Sequence, residues 1–449
     1  MTSAVNADGR RLRVAQFIDN YGPGSNGLMF AVQQLEGNLL DAGHEVIVVA
    51  PAAKGPNPHH GREGRSEIRL PSVRVPKMPT RVANGRHFER TIEQIGKLKP
   101  DVLHVHGFGT VGVLGTWAAQ RLGIPMLLTW HTDFDAYADH YSTVLPLLTG
   151  VVRAWATITR GELVSQRDIR QAEVRYEDRG RSTASLLAVC QKMLETATLV
   201  TTPSPKTATR CLQMTDKINV RVVPNGVDPL PPGPPPFDLR VVPNGVDPLP
   251  PGPPPFDHPD GPLVLYAGRI APEKGIPLLA EAFTLVHAQR PDARLCIVGD
   301  WQRYSTIKRI LSAGRDAGRV ILPGEQKRDD LGAYYGMADL FAFPSLTDTQ
   351  ALVLHEAALA GLPIVSVDHE LQLVIEPSVN GEITRPTAAS LAAGIMRVLD
   401  KLPDDAWRER ARARSVELGS QWSIESQAAE MLSIYAEVAE TGPGHAKLK

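Results

Sequence analysis

Two carboxylates, Asp348 and Glu356, stand eight positions apart where a loop is expected to enter a helix. If the chain between them were helical throughout, eight steps of about 100° would bring the two side chains within roughly 80° of each other around the axis. A helix N-terminus presents free N–H groups and partial positive charge, which suits a diphosphate. Asp348 would then meet a sugar hydroxyl while Glu356 accepts from a ribose. The alternative, a capping aspartate and a solvated glutamate, stays open on spacing alone.

The helix expected to carry Glu356 spans residues 351–360, whose composition is helical. Thr347 and Asp348 are side-chain types that cap helix N-termini, and Gly361 is a typical helix stop. The sequence therefore predicts a short helix that follows a capping loop.

A second candidate element brings two cations to the end of an apolar strand at residues 263–267. Gly268 lets the backbone turn closely, and Arg269 and Lys274, five residues apart, can bracket one pyrophosphate. Taken alone, a surface arginine and a helix-start lysine is the simpler interpretation. Beside the acidic pair, the pyrophosphate interpretation is favoured.

Composition excludes several classes of function. The chain has 449 residues, enough for two or three domains, and its 43% apolar content can fill ordinary cores. With 48 basic against 49 acidic residues, nucleic acid is not expected as a partner. Three widely separated cysteines favour a reducing compartment, and no stretch reads as a signal peptide or a membrane span. We therefore expect a cytoplasmic protein.

Short apolar runs alternate with helical segments along the whole chain, which is typical of a parallel α/β sheet. Strands are expected in two series, at 12–18, 46–49, 101–105, 125–130 and 198–202, then at 263–267, 294–298, 319–322, 340–343 and 364–367. A helix is expected at about 28–42. The pattern predicts two Rossmann-like halves, with a ligand between them at the carboxyl ends of the strands.

A tandem duplication lies between the two halves, since residues 221–238 recur unchanged as 240–257. Two copies of a Pro-rich connector do not make a solenoid, which needs about three repeats. Only one copy can supply the last strand of the first sheet, and the other is expected to be a loosely ordered loop.

The first turn, residues 22–27, satisfies the G-x-G-x-x-G pattern that often binds NAD. A dinucleotide site also needs an acidic residue at the end of the second strand, where this chain has Lys54 and no carboxylate. A nicotinamide oxidoreductase is therefore disfavoured. A glycine loop that approaches a phosphate or an acceptor is the better interpretation.

Together these motifs resemble the retaining glycosyltransferases of family 4, which have the GT-B fold. The resemblance covers nearly the whole chain and rests on ordered motifs at residues 26–27, 43–46, 100–106, 129–134, 224–228, 268–275 and 348–363. It implies two Rossmann-like domains that face each other across a central cleft. It also implies a C-terminal helix that crosses back to the N-terminal domain.

The resemblance implies these domain limits: an acceptor-side domain at 1–220 with 421–440 packed on it, the duplicated linker at 221–257, and a nucleotide-sugar domain at 258–420. Four residues are implied as catalytic: His131, Asp348, Arg269 and Lys274. Seven are implied to bind substrate: Asn26, Gly27, Gly268, Gln350, Ala351, Leu352 and Glu356.

The implied reaction moves a hexosyl group from a UDP- or GDP-sugar to an acceptor hydroxyl with retention. It needs no metal and no cofactor, because the nucleotide sugar is a substrate. The pattern Asp133-Phe134-Asp135 resembles a metal-binding D-x-D motif but follows the histidine, and we interpret it as coincidental. Two departures are noted: Asp348 stands where much of the family has Glu, and Ala351 where related branches often have Gly.

The acceptor is less well defined by the sequence. Asn26, Gly27 and the segment 131–141 are similar to a sub-branch of α-glucosyl- and α-mannosyltransferases that act on lipids at the cytoplasmic membrane face, which would imply peripheral membrane contact. The segment 145–195 is longer than the family's usual connection. A soluble sugar or natural-product acceptor remains an alternative. So does a pseudoenzyme that binds nucleotide sugar without turnover.

Overall fold

The computed structural model describes residues 11–19, 21, 27–52, 59–74, 81–131, 150, 156–157, 159–218, 249, 252–371, 373–421 and 423–442. The chain divides into two units, Met1–Pro243 with Glu425–Lys449, and Asn244–Ile424. Most of the duplicated linker lies outside the described residues, as do Asn26 and the Asp133-Phe134-Asp135 pattern.

The first unit contains a six-stranded parallel sheet in the order β3-β2-β1-β6-β7-β8. Its strands are β1 (Arg13–Phe17), β2 (Glu45–Pro51), β3 (Arg65–Leu70), β6 (Val102–Val105), β7 (Met126–Thr129) and β8 (Leu199–Thr201). A separate antiparallel pair is formed by β4 (Ser72–Arg74) and β5 (Arg81–Ala83). The central strands are nearly continuous apolar runs because helices cover both faces of the sheet.

The described helices of the first unit are α1 (Gly27–Asp41), α2 (Phe88–Leu98), α3 (Thr110–Leu122), α4 (Gln166–Arg175), α5 (Arg181–Thr196), α6 (Pro205–Met214) and the C-terminal α13 (Ile424–Thr441). Two apolar cores result, one on each face of the sheet. Helix α13 joins the core on the α1 face through Met431, Ile434, Tyr435 and Val438. Residues 431–438, which follow the second unit in the sequence, are therefore part of the core of the first unit.

The second unit repeats the architecture with a parallel sheet in the order β11-β10-β9-β12-β13-β14. Its strands are β9 (Leu263–Ala267), β10 (Arg294–Val298), β11 (Val320–Gly324), β12 (Leu340–Phe343), β13 (Ile364–Ser366) and β14 (Gly381–Ile383). Its described helices are α7 (Ile276–Gln289), α8 (Ser305–Asp316), α9 (Leu331–Met337), α10 (Leu352–Leu359), α11 (Ala388–Leu399) and α12 (Asp405–Ser420). Two further cores cover the faces of this sheet.

The structure confirms the two predicted Rossmann-like halves and places a strand at every position expected from the apolar runs. Strand β3 and the small pair β4-β5 were not predicted, because β3 alternates charged and apolar residues at the edge of its sheet. Strand β14, three residues long, was also missed.

Candidate functional site

The candidate site of the second unit lies at the carboxyl ends of β9 and β12. Two glycines allow backbone segments to approach each other there. Gly275 has a φ of 67°, and a Cβ on it would lie 2.1 Å from the carbonyl oxygen of Pro344. A Cβ on Gly299 would lie 2.3 Å from the carbonyl oxygen of Gly268. Any larger residue would push apart the loops that carry the charged side chains.

The two predicted cations each form an ion pair within this loop cluster. The guanidinium of Arg269 lies 2.5 Å from Oε1 of Glu273, whose side chain is buried. Nζ of Lys274 lies 2.5 Å from Oδ1 of Asp348. The Thr347 hydroxyl donates to the carbonyl oxygen of Glu273 at 3.2 Å, which joins the two loops. The structure therefore brings together Arg269, Lys274 and Asp348 as the sequence predicted.

Asp348 is held as a carboxylate. Its Oδ2 accepts a hydrogen bond of 2.5 Å from the Ser345 hydroxyl. Burial acts to raise the pKa of Asp348, but the charge and hydrogen bond of Lys274 and the hydrogen bond of Ser345 outweigh it, so the pKa lies below its ordinary value.

The entry to α10 differs from the prediction. The helix runs from Leu352 to Leu359, within one residue of the predicted limits 351–360, and Asp348 lies in the preceding loop, so the condition of a continuous helix from Asp348 to Glu356 is not met. Neither Thr347 nor Asp348 caps the helix. The residue at the N-cap is Ala351, in the left-handed conformation with φ 57° and ψ 80°. That conformation disfavours a Cβ, and glycine would adopt it without strain.

Glu356 is buried in the middle of α10 and is not the solvated glutamate of the alternative interpretation. Its Oε1 lies 2.6 Å from the guanidinium of Arg328, and its Oε2 accepts a hydrogen bond of 2.9 Å from the Tyr335 hydroxyl. Burial and the neighbouring Glu356 charge raise the pKa of Tyr335 well above its usual range, so this hydroxyl remains a donor. Arg328 follows β11 in the chain, at the same edge of the sheet as Arg269.

Three cations and three carboxylates therefore form three ion pairs at the carboxyl ends of the strands of the second sheet. Cations already ordered by carboxylates need little reorganisation to meet an anionic ligand. The N-terminus of α10, which no side chain caps, adds backbone N–H groups beside them. This arrangement can bind a diphosphate together with hydroxyl groups that donate to Asp348 and Glu356.

Gln350 lies in the same loop and contacts α10. Its side chain is buried, and its Nε2 lies 3.5 Å from Nε2 of His355 on α10. Burial lowers the pKa of His355 to about 4, so the ring is neutral at physiological pH.

His131, the predicted catalytic histidine, belongs to the first unit and follows β7 after Trp130. Its Nε2 lies 3.2 Å from Nδ1 of His106, which follows β6. Gly27 is the first residue of α1, and Asn26 lies outside the described residues.

Sequence reasoning missed Arg328, Tyr335 and His106 as neighbours of predicted site residues. Arg328 and His106 follow the carboxyl ends of parallel strands, the edge at which such folds bind ligands, and this placement was readable from the sequence. Tyr335 is a helical residue like many others, and no sequence signal distinguishes it.

Within the described ranges, no group of three or more His, Cys, Asp or Glu side chains is placed to hold a metal ion. Among the helices that the structure describes, none is long and apolar enough to cross a bilayer.

Two families of glycosyltransferase domains match most of the chain. The family described as "Glycosyltransferase Family 4" matches residues 26–229. The family described as "Glycosyl transferases group 1" matches residues 255–414. The division between the two matches falls within the duplicated linker.

The names of two similar proteins state a lipid product or a sugar-nucleotide donor. An alpha-monoglucosyldiacylglycerol synthase of Acholeplasma laidlawii is 26% identical over 82% of this chain and 84% of its own length. A GDP-mannose-dependent alpha-mannosyltransferase of Mycolicibacterium smegmatis is 27% identical over 80% of each chain.

Two solved structures have a similar fold. The sucrose-phosphate synthase of Thermosynechococcus elongatus has a TM-score of 0.65 at 21% identity, covering 96% of this chain and all of that one. Anabaena HepE, solved with UDP and glucose, has a TM-score of 0.64 at 15% identity, covering 95% of this chain and all of that one. These similarities confirm the predicted GT-B fold.

Proposed function

Because the chain belongs to the family 4 glycosyltransferases, we propose that it transfers a hexosyl group from a nucleotide-diphospho-sugar to an acceptor hydroxyl, with retention of configuration and without a metal ion. The observation that carries this proposal is the set of three ion pairs at the carboxyl edge of the second sheet.

The donor diphosphate would bind between Arg269, Lys274 and the N-terminus of α10. Lys274 and Asp348 are paired at 2.5 Å, so a diphosphate that engages the cation leaves the carboxylate free to accept from a sugar hydroxyl. Glu356, paired with Arg328, would accept from a ribose hydroxyl. Gly268, Gln350 and Ala351 would line the loops around the phosphates.

The catalytic role of these groups follows from where charge develops. As the bond between the sugar C1 and the phosphate oxygen breaks, negative charge grows on the diphosphate and the sugar gains oxocarbenium character. Arg269, Lys274 and the α10 N-terminus stabilise that negative charge without a metal ion. The acceptor oxygen bonds to C1 on the same face, and its proton passes to the departing phosphate oxygen. His131 would lie beside the sugar.

For the acceptor we propose a membrane lipid with a free hydroxyl, reached by peripheral contact at the cytoplasmic membrane face. The support is the similarity to the relative from Acholeplasma laidlawii, whose name places glucose on a diacylglycerol lipid. Its similarity to this chain covers both units. Soluble sugar acceptors are the competing outcome of the experiment.

The test is nucleoside diphosphate release by the purified protein over UDP- and GDP-sugars, with and without vesicles that contain diacylglycerol, and with EDTA present. We expect one donor to react, vesicles to raise the rate, and EDTA to have no effect. Glu356→Gln is the matched control, since it keeps the side-chain volume beside Arg328. The anomeric configuration of the product, read by NMR, tests retention. Donor binding without release under any condition would overturn the proposal in favour of a pseudoenzyme.

A further inference from the structure

Both oxygens of the Glu356 carboxylate are engaged by one short stretch of the chain. Arg328 begins a turn of 3-10 helix, Arg328–Asp330, that leads directly into α9, and Tyr335 lies on α9 seven residues after Arg328. The Arg328 guanidinium lies 2.6 Å from Oε1 of Glu356, and the Tyr335 hydroxyl donates to Oε2 at 2.9 Å. We call Arg328 and Tyr335 the carboxylate clamp. The segment that follows β11 therefore fixes the orientation of a side chain on α10.

The two members of the carboxylate clamp differ in exposure. Tyr335 is 1% exposed, and its ring packs against that of Phe341 on β12, with 5.8 Å between the ring centroids. The Arg328 side chain is 33% exposed, whereas that of Glu356 is 2% exposed. Arg328 is therefore the outer member of the clamp, and it can be replaced with less disturbance of the core than Tyr335.

The clamp does not exhaust the capacity of Glu356 to accept hydrogen bonds. An ionised carboxylate can accept about four, two at each oxygen. Within the described part of the chain, the clamp supplies one donor to each oxygen, so a ligand hydroxyl can add another. Because Glu356 is almost wholly covered, such a hydroxyl reaches it beside Arg328. A guanidinium has five N–H donors, so this pair does not depend on what the other donors of Arg328 contact.

We propose that Arg328 is a positioning residue that orients Glu356 toward the donor ribose, and that it thereby makes the site selective for ribonucleotides over deoxyribonucleotides. This inference rests on the proposed function, in which Glu356 accepts from a ribose hydroxyl. A buried carboxylate that has lost its cation is costly to keep in place. Without Arg328, the Glu356 side chain turns toward other partners, and the ribose hydroxyl loses its acceptor.

Equilibrium binding measures this effect without any turnover. Titration calorimetry with UDP and GDP identifies the nucleotide that wild type binds, and the 2′-deoxy and 3′-deoxy forms of that nucleotide are then compared with it. A hydrogen bond to a charged group is worth about 10- to 100-fold in affinity. We therefore expect the loss of one ribose hydroxyl to weaken binding to wild type by that factor. In Arg328→Met, the same loss should weaken binding by less than about threefold.

Lys327→Met is the matched control. Lys327 is exposed and directly precedes Arg328, so its replacement removes one cation from the same loop and leaves the carboxylate clamp in place. Its ribose selectivity should equal that of wild type. A loss of selectivity as large as that of Arg328→Met would show that the total charge of the loop decides, and it would overturn the inference.

A Glu356→Gln background separates positioning from direct contact with the ligand, and it leaves no buried carboxylate without its cation. Glu356→Gln alone should reduce the ribose selectivity, and Arg328→Met added to it should change the affinity by less than about threefold. A larger loss of affinity, for ribonucleotide and deoxyribonucleotide alike, would mean that Arg328 binds the ligand itself. That result would refute the positioning role.

Failure of this inference can be told apart from failure of the proposed function. If wild type binds neither nucleotide, or binds the deoxy forms equally well, the ribose role of Glu356 fails and the role of Arg328 fails with it. If wild type is selective for ribose and Arg328→Met is equally selective, the proposed function stands and only the role of Arg328 is overturned.

Discussion

Replacement of Lys274 separates the contribution of its charge to the fold from its contribution to catalysis. In the free protein, its Nζ lies 2.5 Å from Asp348, and the two side chains are 15% and 18% exposed. Lys274→Met keeps most of the side-chain volume and removes the charge. Asp348 is then left in a largely buried loop without its ion-pair partner.

The unfolding free energy and the turnover should change for different reasons. Removing one partner of a fully buried pair costs about 3–5 kcal/mol, and the residual exposure here lowers the expected loss of unfolding free energy to about 2–3 kcal/mol. Loss of one preorganised group that stabilises developing charge costs about 10²- to 10³-fold in turnover. In the double variant Lys274→Met/Asp348→Asn no carboxylate is left unpaired. Its stability should therefore return to within about 1 kcal/mol of wild type, while turnover stays low.

Urea unfolding measures the first quantity, and diphosphate release with the active donor measures the second. Asp348→Asn alone is the control, because it removes the carboxylate and keeps the cation. The double variant should turn over about 10²- to 10³-fold more slowly than this control. Equal turnover in the two would refute the reasoning, since Lys274 would then act only by neutralising Asp348.

Three further substitutions test separate features. Ala351→Gly should raise the unfolding free energy by about 1 kcal/mol, because the left-handed conformation penalises a Cβ; an unchanged urea midpoint would contradict this. Tyr335→Phe removes a donor to Glu356 and should raise the donor KM about tenfold with kcat near wild type, as steady-state kinetics can check. Burial raises the pKa of Asp19 to about 6, so its folded form binds protons more tightly than the unfolded chain, and stability falls as pH rises through this range. Relative to Asp19→Asn, wild type should lose about 2.4 kcal/mol of unfolding free energy between pH 4 and pH 7; a constant difference would argue against a raised pKa.

Much of the fold was predictable because buried parallel strands are apolar on both faces. Strands β9, β10 and β12 are continuous apolar runs, or nearly so, and each was predicted within a residue of its observed limits. Strand β3 carries Arg65, Glu67 and Arg69 because it lies at a sheet edge, and its charges pair with one another. An edge strand of this composition has no apolar run to reveal it.

The sequence indicated which charged residues lie together in the candidate site, but not how the chain enters α10. Arg269, Lys274 and Asp348 were expected together, and they are. The helix was predicted within one residue of its observed limits, but the capping role of Asp348 was wrong, because its carboxylate is engaged by Lys274 and Ser345 in the folded chain. Pairing between distant segments, such as Arg328 with Glu356, leaves no trace in local propensity.

The packing of α13 in the core of the first unit affects how this chain folds during synthesis. Tyr435 contacts His104 across 331 positions, and Met431 and Ile434 complete the same apolar face. During synthesis at about 5–20 residues per second, that face stays uncovered for roughly 10–50 s after β8 has emerged, because the whole second unit precedes α13 in the chain. The core of the first unit therefore stays incomplete until α13 has been synthesised. A message cut short anywhere before codon 424 yields a protein whose first sheet exposes apolar surface, a substrate for chaperones and proteases.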